Sequence, residues 1–265
     1  MRMMSIASGS SGNCIYIGSD NTHILIDAGV SRKRICEGLR GAGLSIADID
    51  AVFLTHEHTD HVKAAGIIMR NDDIPFYSTS ATLDRVVRDS KTGYIEADLL
   101  NVIKKNEDIT IGDLCIRAFG VSHDAADPVA YTVKNNDCKM GVVTDLGCFD
   151  DTVINAMSGC RAFLAEANHD IRMLQAGPYP YNLKSRILGK KGHLSNETSG
   201  DMISRLLNDS VEAVFLGHLS KENNYDLLAL ETVAQTIDGS ETKYRGKDFK
   251  IEVARHDEPS SVIEV

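Results

Sequence analysis

The chain has 265 residues, and its 28 basic against 38 acidic side chains give a formal charge of −10; at roughly 100–200 residues per domain this length suits one large domain or two small ones. Fractions of 43% hydrophobic and 25% charged residues belong to an ordinary soluble globular protein and exclude wholesale disorder. No apolar run approaches the roughly 20 residues of a membrane-crossing helix, and net acidity excludes holding nucleic acid by bulk charge alone.

In chain order, Met1-Arg2-Met3-Met4-Ser5 leads into a Gly/Ser-rich turn and lacks the long apolar core of a secretory signal. Residues 15–17 and 23–26 are strand-like, with Gly18-Ser19-Asp20-Asn21 as a hairpin turn between them. Residues 31–39 read as a helix capped by Ser31, with Ile35 and Leu39 four apart. An apolar strand at 51–54 precedes a helix at 81–88, whose Leu83, Val86 and Val87 share one face. Strand runs follow at 116–121, 129–133 and 140–143, then a helix at 196–207 behind Ser195, a strand at 211–216 and a helix at 224–237. Gly-His-Leu-Ser occurs at 192–195 and again at 217–220, in surroundings too different for a structural repeat. Alternation of strands and helices predicts an α/β (α+β) layered sandwich with helices outside sheets. No Pro/Gly/Ser linker divides it, so residues 1–265 are read as a single domain without an insert. The cysteines, Cys14, Cys36, Cys115, Cys138, Cys148 and Cys160, form no C-x-x-C pair. They read as reduced thiols of a cytoplasmic protein.

The strongest signal is Thr55-His56-Glu57-His58-Thr59-Asp60-His61, directly after an apolar strand. A solvated His-rich loop is the plain alternative. However, polar groups at the end of a buried strand need partners, and imidazole with carboxylate suits a divalent transition ion. His56 and His58, two apart, point the same way in an extended segment. Asp60 and His61 turn back toward a second point, which suggests two ions. Asp27, His123, Asp145 and His218 each stand where another apolar run stops. Any one of them alone reads as a capped or hydrogen-bonded residue; their common placement reads as a site gathered from separate segments.

The series His56-x-His58-x-Asp60-His61, with Asp27 before it and His123, Asp145 and His218 after it, resembles the metallo-β-lactamase-fold hydrolase superfamily. The opening residues 7–14 and the closing His218-Leu219-Ser220 with Asn223 or Asn224 resemble its bacterial YycJ/WalJ branch of 5′→3′ double-strand DNA exonucleases. The resemblance implies an αβ/βα four-layer sandwich with a dinuclear site at one edge. It implies one ion on His56, His58 and His123, the other on Asp60, His61 and His218, with Asp145 bridging and Asp27 orienting a ligand. Asp145 where some lactamases carry Cys disfavours β-lactam hydrolysis, and His58 where di-iron relatives carry an acid disfavours redox chemistry.

The expected reaction is attack of a metal-bridging hydroxide on a phosphodiester phosphorus of DNA. Asp60, His193 and Asp27 are the residues expected to serve catalysis. His193 and His169 are the candidates for assisting the leaving oxygen, with a structural imidazole as the other reading of His193. The cofactors are two divalent ions, Zn or Mn, with Fe also compatible. For substrate, the basic stretch 179–191 offers Lys184, Arg186, Lys190 and Lys191 with two tyrosines, either to track a phosphate backbone or as a solvated helix face. Ser10, Ser11 and Asn13 lie in a Gly/Ser loop that either cradles a terminal phosphate with its amides or is a flexible hairpin. DNA ends are the expected partner, and no membrane is. A small-molecule hydrolase acting on a cyclic phosphodiester or thioester is the alternative on the same scaffold.

Overall fold

Residues 1–89 and 92–265 are described by the structure, a computed structural model. Two sheets of seven strands carry the architecture. The first begins with β1 (Arg2–Ala7), β2 (Cys14–Gly18) and β3 (His23–Ile26), which run antiparallel to one another in turn. It then continues in parallel through β4 (Ala51–Phe53), β5 (Phe76–Ser78) and β6 (Leu100–Val102). In the second sheet, β7 (Asp108–Ile111), β8 (Leu114–Gly120), β9 (Val129–Asn135) and β10 (Cys138–Val143) are antiparallel. From β10 onward, β11 (Ala162–Glu166), β12 (Ala213–Gly217) and β13 (Lys250–Val253) run parallel. The short β14 (Ile263–Glu264) closes the first sheet beside β1.

Alternation along the strands builds four layers. Ile24 and Ile26 of β3 join Ala213 and Phe215 of β12 in one core between the sheets. Leu25 faces the other way, into a core with Ile35 and Leu39 of α1 (Arg32–Gly41). Val214 and Leu216 likewise meet Met202 and Ile203 of α8 (Asn196–Leu206) and Val233 of α9 (Asp226–Gly239). A side-chain period of two makes such a split obligatory when both faces of a sheet are covered. Truncating Phe215, fully buried between the sheets, is therefore worth about 3–5 kcal/mol. The αβ/βα sandwich is the architecture expected from the sequence.

The other helices are α2 (Thr59–Val62), α3 (Ala65–Asp72) and α4 (Ser80–Arg88) by the first sheet, with α5 (Asp151–Met157), α6 (Ile171–Ala176) and α7 (Tyr181–Ile187) following β10. Caps appear where the sequence placed them: Ser31 accepts from the Arg34 amide and Ser195 from that of Thr198. Most boundaries shift by one or two residues, and two of the shifts have a visible cause. The strand expected at 211–216 runs Ala213–Gly217, because Val211 closes a turn onto the Asn208 carbonyl. The helix expected from 224 starts at Asp226, because Asn224 is buried and donates to the Ala167 carbonyl. Residues 2–7 form a strand of the first sheet, and β11 and β13 were likewise absent from the predicted elements. No helix among the described residues is long and apolar enough to cross a membrane.

At one edge the sheets are tied directly. The Val129 amide donates to the Thr55 carbonyl at 3.0 Å, and the Tyr131 hydroxyl donates to that of Leu54 at 2.7 Å. Both bonds join the end of β4 to the start of β9, where the His-rich segment begins.

Candidate metal centre

Each sheet delivers its polar residues just past the end of a strand, and the chain must bend sharply there. Asp27, Asp145 and His218 do so with left-handed backbone, at φ of 65°, 57° and 58°. Among non-glycine residues, Asp, Asn and His tolerate that region best. The remaining non-glycine cases among the described residues, Asp73, Asn106 and Asn136, lie outside the site. Half of the left-handed non-glycine positions among the described residues thus belong to the site.

The first cluster is His56, His58 and His123. His56 Nε2 lies 2.9 Å from His58 Nδ1, and the His123 ring centroid is 5.0 Å from that of His56 and 5.2 Å from that of His58. His123 Nδ1 is taken by the Gly192 carbonyl at 3.1 Å, which leaves Nε2 for the cluster. Glu57, between the first two histidines, faces away and accepts from the Ala126 amide. The second cluster is Asp60, His61 and His218: Asp60 Oδ2 stands 3.6 Å from Nε2 of both imidazoles. Asp145 lies between the clusters, with Oδ2 3.3 Å from His61 Nε2 and Oδ1 3.5 Å and 3.8 Å from Nε2 of His218 and His123.

These spacings fit metal ions better than hydrogen bonds. Most exceed hydrogen-bond length, yet donors around an ion at about 2.1 Å stand about 3.4 Å apart when tetrahedral. Asp145 Oδ2 and His218 Nε2 are buried and without any hydrogen-bond partner, which is costly unless a cation satisfies them. The charges agree. Burial opposes ionisation of Asp145, but the imidazoles of His218, His61 and His56 hold its carboxyl well below the usual range. Burial likewise disfavours His218 as a cation, yet Asp145, Asp60 and Glu166 raise it to about 10. Burial pushes His56 and His123 down, toward the neutral form that a ligand must have.

Two buried carboxylates stand behind the second cluster, one on each of its imidazoles. Asp27 Oδ2 holds His61 Nδ1 at 2.7 Å, and its Oδ1 accepts from the Thr55 amide at 2.8 Å, so it orients the imidazole. Its counterpart, Glu166, was not foreseen. Fully buried, it meets His193 Nδ1 at 2.7 Å and His218 Nδ1 at 3.0 Å with one oxygen, while the Leu146 amide donates to the other at 3.0 Å. Despite burial, those two imidazoles lower its carboxyl to about 2. The available signal was position: Glu166 ends an apolar strand, as Asp27 nearly does. Also unforeseen is a buried amide network. Asn168 donates to the His218 carbonyl at 2.8 Å, and Asn196 and Asn224 bond each other.

The two proton-donor candidates separate. The His193 ring lies 5.1 Å from that of His123 and 5.0 Å from that of His218. His169 is buried, and burial lowers it to about 4, so it is neutral and no proton donor near pH 7.

The substrate candidates divide as well. Ser10 and Ser11 are exposed. Asn13 is buried: it accepts from the Gly9 amide at 2.8 Å, and its Nδ2 lies 3.0 Å from His61 Nε2, so it builds the site and is not free for substrate. The expected amide cradle is also mostly used up, because the amides of Ser8, Gly9, Gly12 and Asn13 bond within the protein. Lys184 spends its ammonium on the Gln175 and Gly177 carbonyls, both at 2.7 Å, and Arg186 pairs with Asp124 at 2.5 Å. Lys190 and Lys191 remain exposed. Their segment is pinned beside the clusters by Ser122, which donates to the Lys190 carbonyl at 2.8 Å.

Residues 22–218 match the beta-lactamase superfamily domain. The chain is 37% identical over 233 residues to exodeoxyribonuclease YycJ of Bacillus anthracis, covering 88% of each chain. It is 35% identical over 246 residues to exodeoxyribonuclease WalJ of Streptococcus pneumoniae, covering 93% of this chain and 91% of that one. Among solved structures, the metallo-beta-lactamase fold protein YhfI of Bacillus subtilis superposes with a TM-score of 0.71 at 14% identity, covering all of both chains.

Proposed function

The chain belongs to the beta-lactamase superfamily, and from that premise we propose that it is a metal-dependent exodeoxyribonuclease that digests duplex DNA from 5′ ends. The reading is carried by one observation: similarity to two exodeoxyribonucleases extends over 88% and 93% of the chain. The small-molecule alternative is not favoured, since no comparable relative supports it. In this reading residues 1–265 act as one cytoplasmic hydrolase domain.

His56, His58 and His123 would hold one divalent ion, Asp60, His61 and His218 the other, and Asp145 both. When bound, the pair supplies Lewis-acid activation of water and of the scissile phosphate, with Zn and Mn both compatible with this donor set. Asp27 keeps the His61 Nδ1 proton and so aims Nε2 inward. Glu166 does the same for His218 and, through the same oxygen, for His193. His193 Nε2 is then the atom placed to give a proton to the departing sugar oxygen. Packing around the fully buried His61 and Glu166 excludes water and strengthens these contacts.

Duplex DNA labelled at 5′-phosphate ends and incubated with Mn²⁺ tests the reading. Stepwise release of labelled mononucleotide is expected. Intact DNA alongside rapid hydrolysis of a cyclic dinucleotide would overturn it.

A further inference from the structure

The row of donors along the second sheet continues past the metal centre. From β8 to β12 the strand ends carry His123, Asp145, Glu166 and His218 in turn. The next and outermost strand, β13, ends at a cavity of about 750 Å³. This lies within the roughly 300–1,000 Å³ of small-ligand sites. Its walls are the residues that follow β1, β12 and β13: Ser8, Ser220, Lys221, Tyr225, Arg255 and His256 among them. Ser8 joins the cavity to the metal centre. Its amide donates to the Arg255 carbonyl at 3.0 Å, and its hydroxyl accepts from the His218 amide at 2.8 Å.

Resting on the nuclease reading, we propose that this cavity holds the terminal nucleotide of the strand being cut, with its 5′-phosphate at Lys221 and His256 and its base against Tyr225. Lys221 is exposed and makes no ion pair among the described residues. Lys221, Arg34 and Lys63 bring positive charge to His256, and the cavity wall carries Lys221 and Arg255 beside Asp226, Asp257 and Glu258. Arg34 donates to the His256 carbonyl and fixes that segment. Arg255 pairs with both Asp226 and Glu258, which offsets part of their negative charge. Tyr225 leaves 55% of its surface open, and its amide is held by the buried Asn224 at 3.0 Å. An anchored, open ring beside free cations is a stacking platform for a base of any sequence. In the basic stretch 179–191, by contrast, Lys184 and Arg186 are already engaged and only Lys190 and Lys191 stay open.

Two measurements on the full chain test this. In the Mn²⁺-loaded enzyme, kcat/KM on duplexes with 5′-phosphate ends should exceed that on 5′-hydroxyl ends by about tenfold, the worth of one charge-assisted contact. Lys221→Ala should bring the ratio near one, and Tyr225→Ala should raise KM on both ends. By calorimetry, thymidine 5′-monophosphate should bind the wild type and lose about tenfold in affinity in Lys221→Ala but not in Lys190→Ala. Equal rates on the two ends, a ratio unchanged in Lys221→Ala, or nucleotide binding that depends on Lys190 would each overturn the assignment. A wild type inactive on every DNA end would instead overturn the nuclease reading, and the calorimetric series would still decide for or against the cavity.

Discussion

The two sheets reach the metal centre by different routes. The first contributes His56, His58, Asp60 and His61 from one loop of six residues, while the second contributes His123, Asp145, His193 and His218 from four separate connections. Behind the first stands Asp27, which serves one imidazole; behind the second stands Glu166, which serves two. A contiguous loop can be set by local hydrogen bonds and a single prop. Scattered segments need a shared one, so more of the site depends on Glu166 than on Asp27.

Asp145 stands where the two routes meet, and Asp145→Ala should have the largest effect. A loss of about a thousandfold or more in nucleotide release is expected, with metal content falling from two ions toward one. A loss under tenfold would mean that the two halves act separately. His193→Ala comes next. It should lower kcat by about a hundredfold on DNA while retaining both ions, with much less effect on a p-nitrophenyl ester of thymidine 5′-phosphate, whose leaving group needs no proton. Equal losses on both substrates would assign His193 to architecture. The sharpest comparison follows: Glu166→Gln should cost about a hundredfold in activity and Asp27→Asn about tenfold, within the range for residues that support ligands. The reverse order would break the contrast drawn above. The smallest effect concerns the basic wall. Replacing Lys190 and Lys191 together by alanine should flatten the slope of log affinity for DNA against log salt by about one to two, whereas Lys184→Met should leave it unchanged.

That contrast also explains what the sequence disclosed. The His56–His61 loop was legible because its donors are adjacent, and few structural needs put three imidazoles and a carboxylate together. Asp27, Asp145 and His218 were legible because each follows an apolar run. Glu166 obeys the same rule but closes Ala162–Glu166, a run without the β-branched side chains that mark the other strands. Lys184 and Arg186 could not be sorted from Lys190 and Lys191, since charge is written in the sequence and its partner is not. Asn13 gives the same lesson: a polar residue in a Gly/Ser loop looks available until its contacts with Gly9, Asp60 and His61 are known. The layered fold was clearer, because alternation along Ile24, Leu25 and Ile26 leaves few other ways to cover both faces.

The bonds from Val129 to Thr55 and from Tyr131 to Leu54 rivet the sandwich at its working edge. A clamshell motion of the sheets would have to break both, so the spacing of the donor side chains is set before any strand arrives and is insensitive to its sequence. Adaptation to the shape of a DNA terminus then falls to the rim. In hydrogen exchange, the Val129 amide should be among the last to exchange while the Ser10–Ser11 tip exchanges at once.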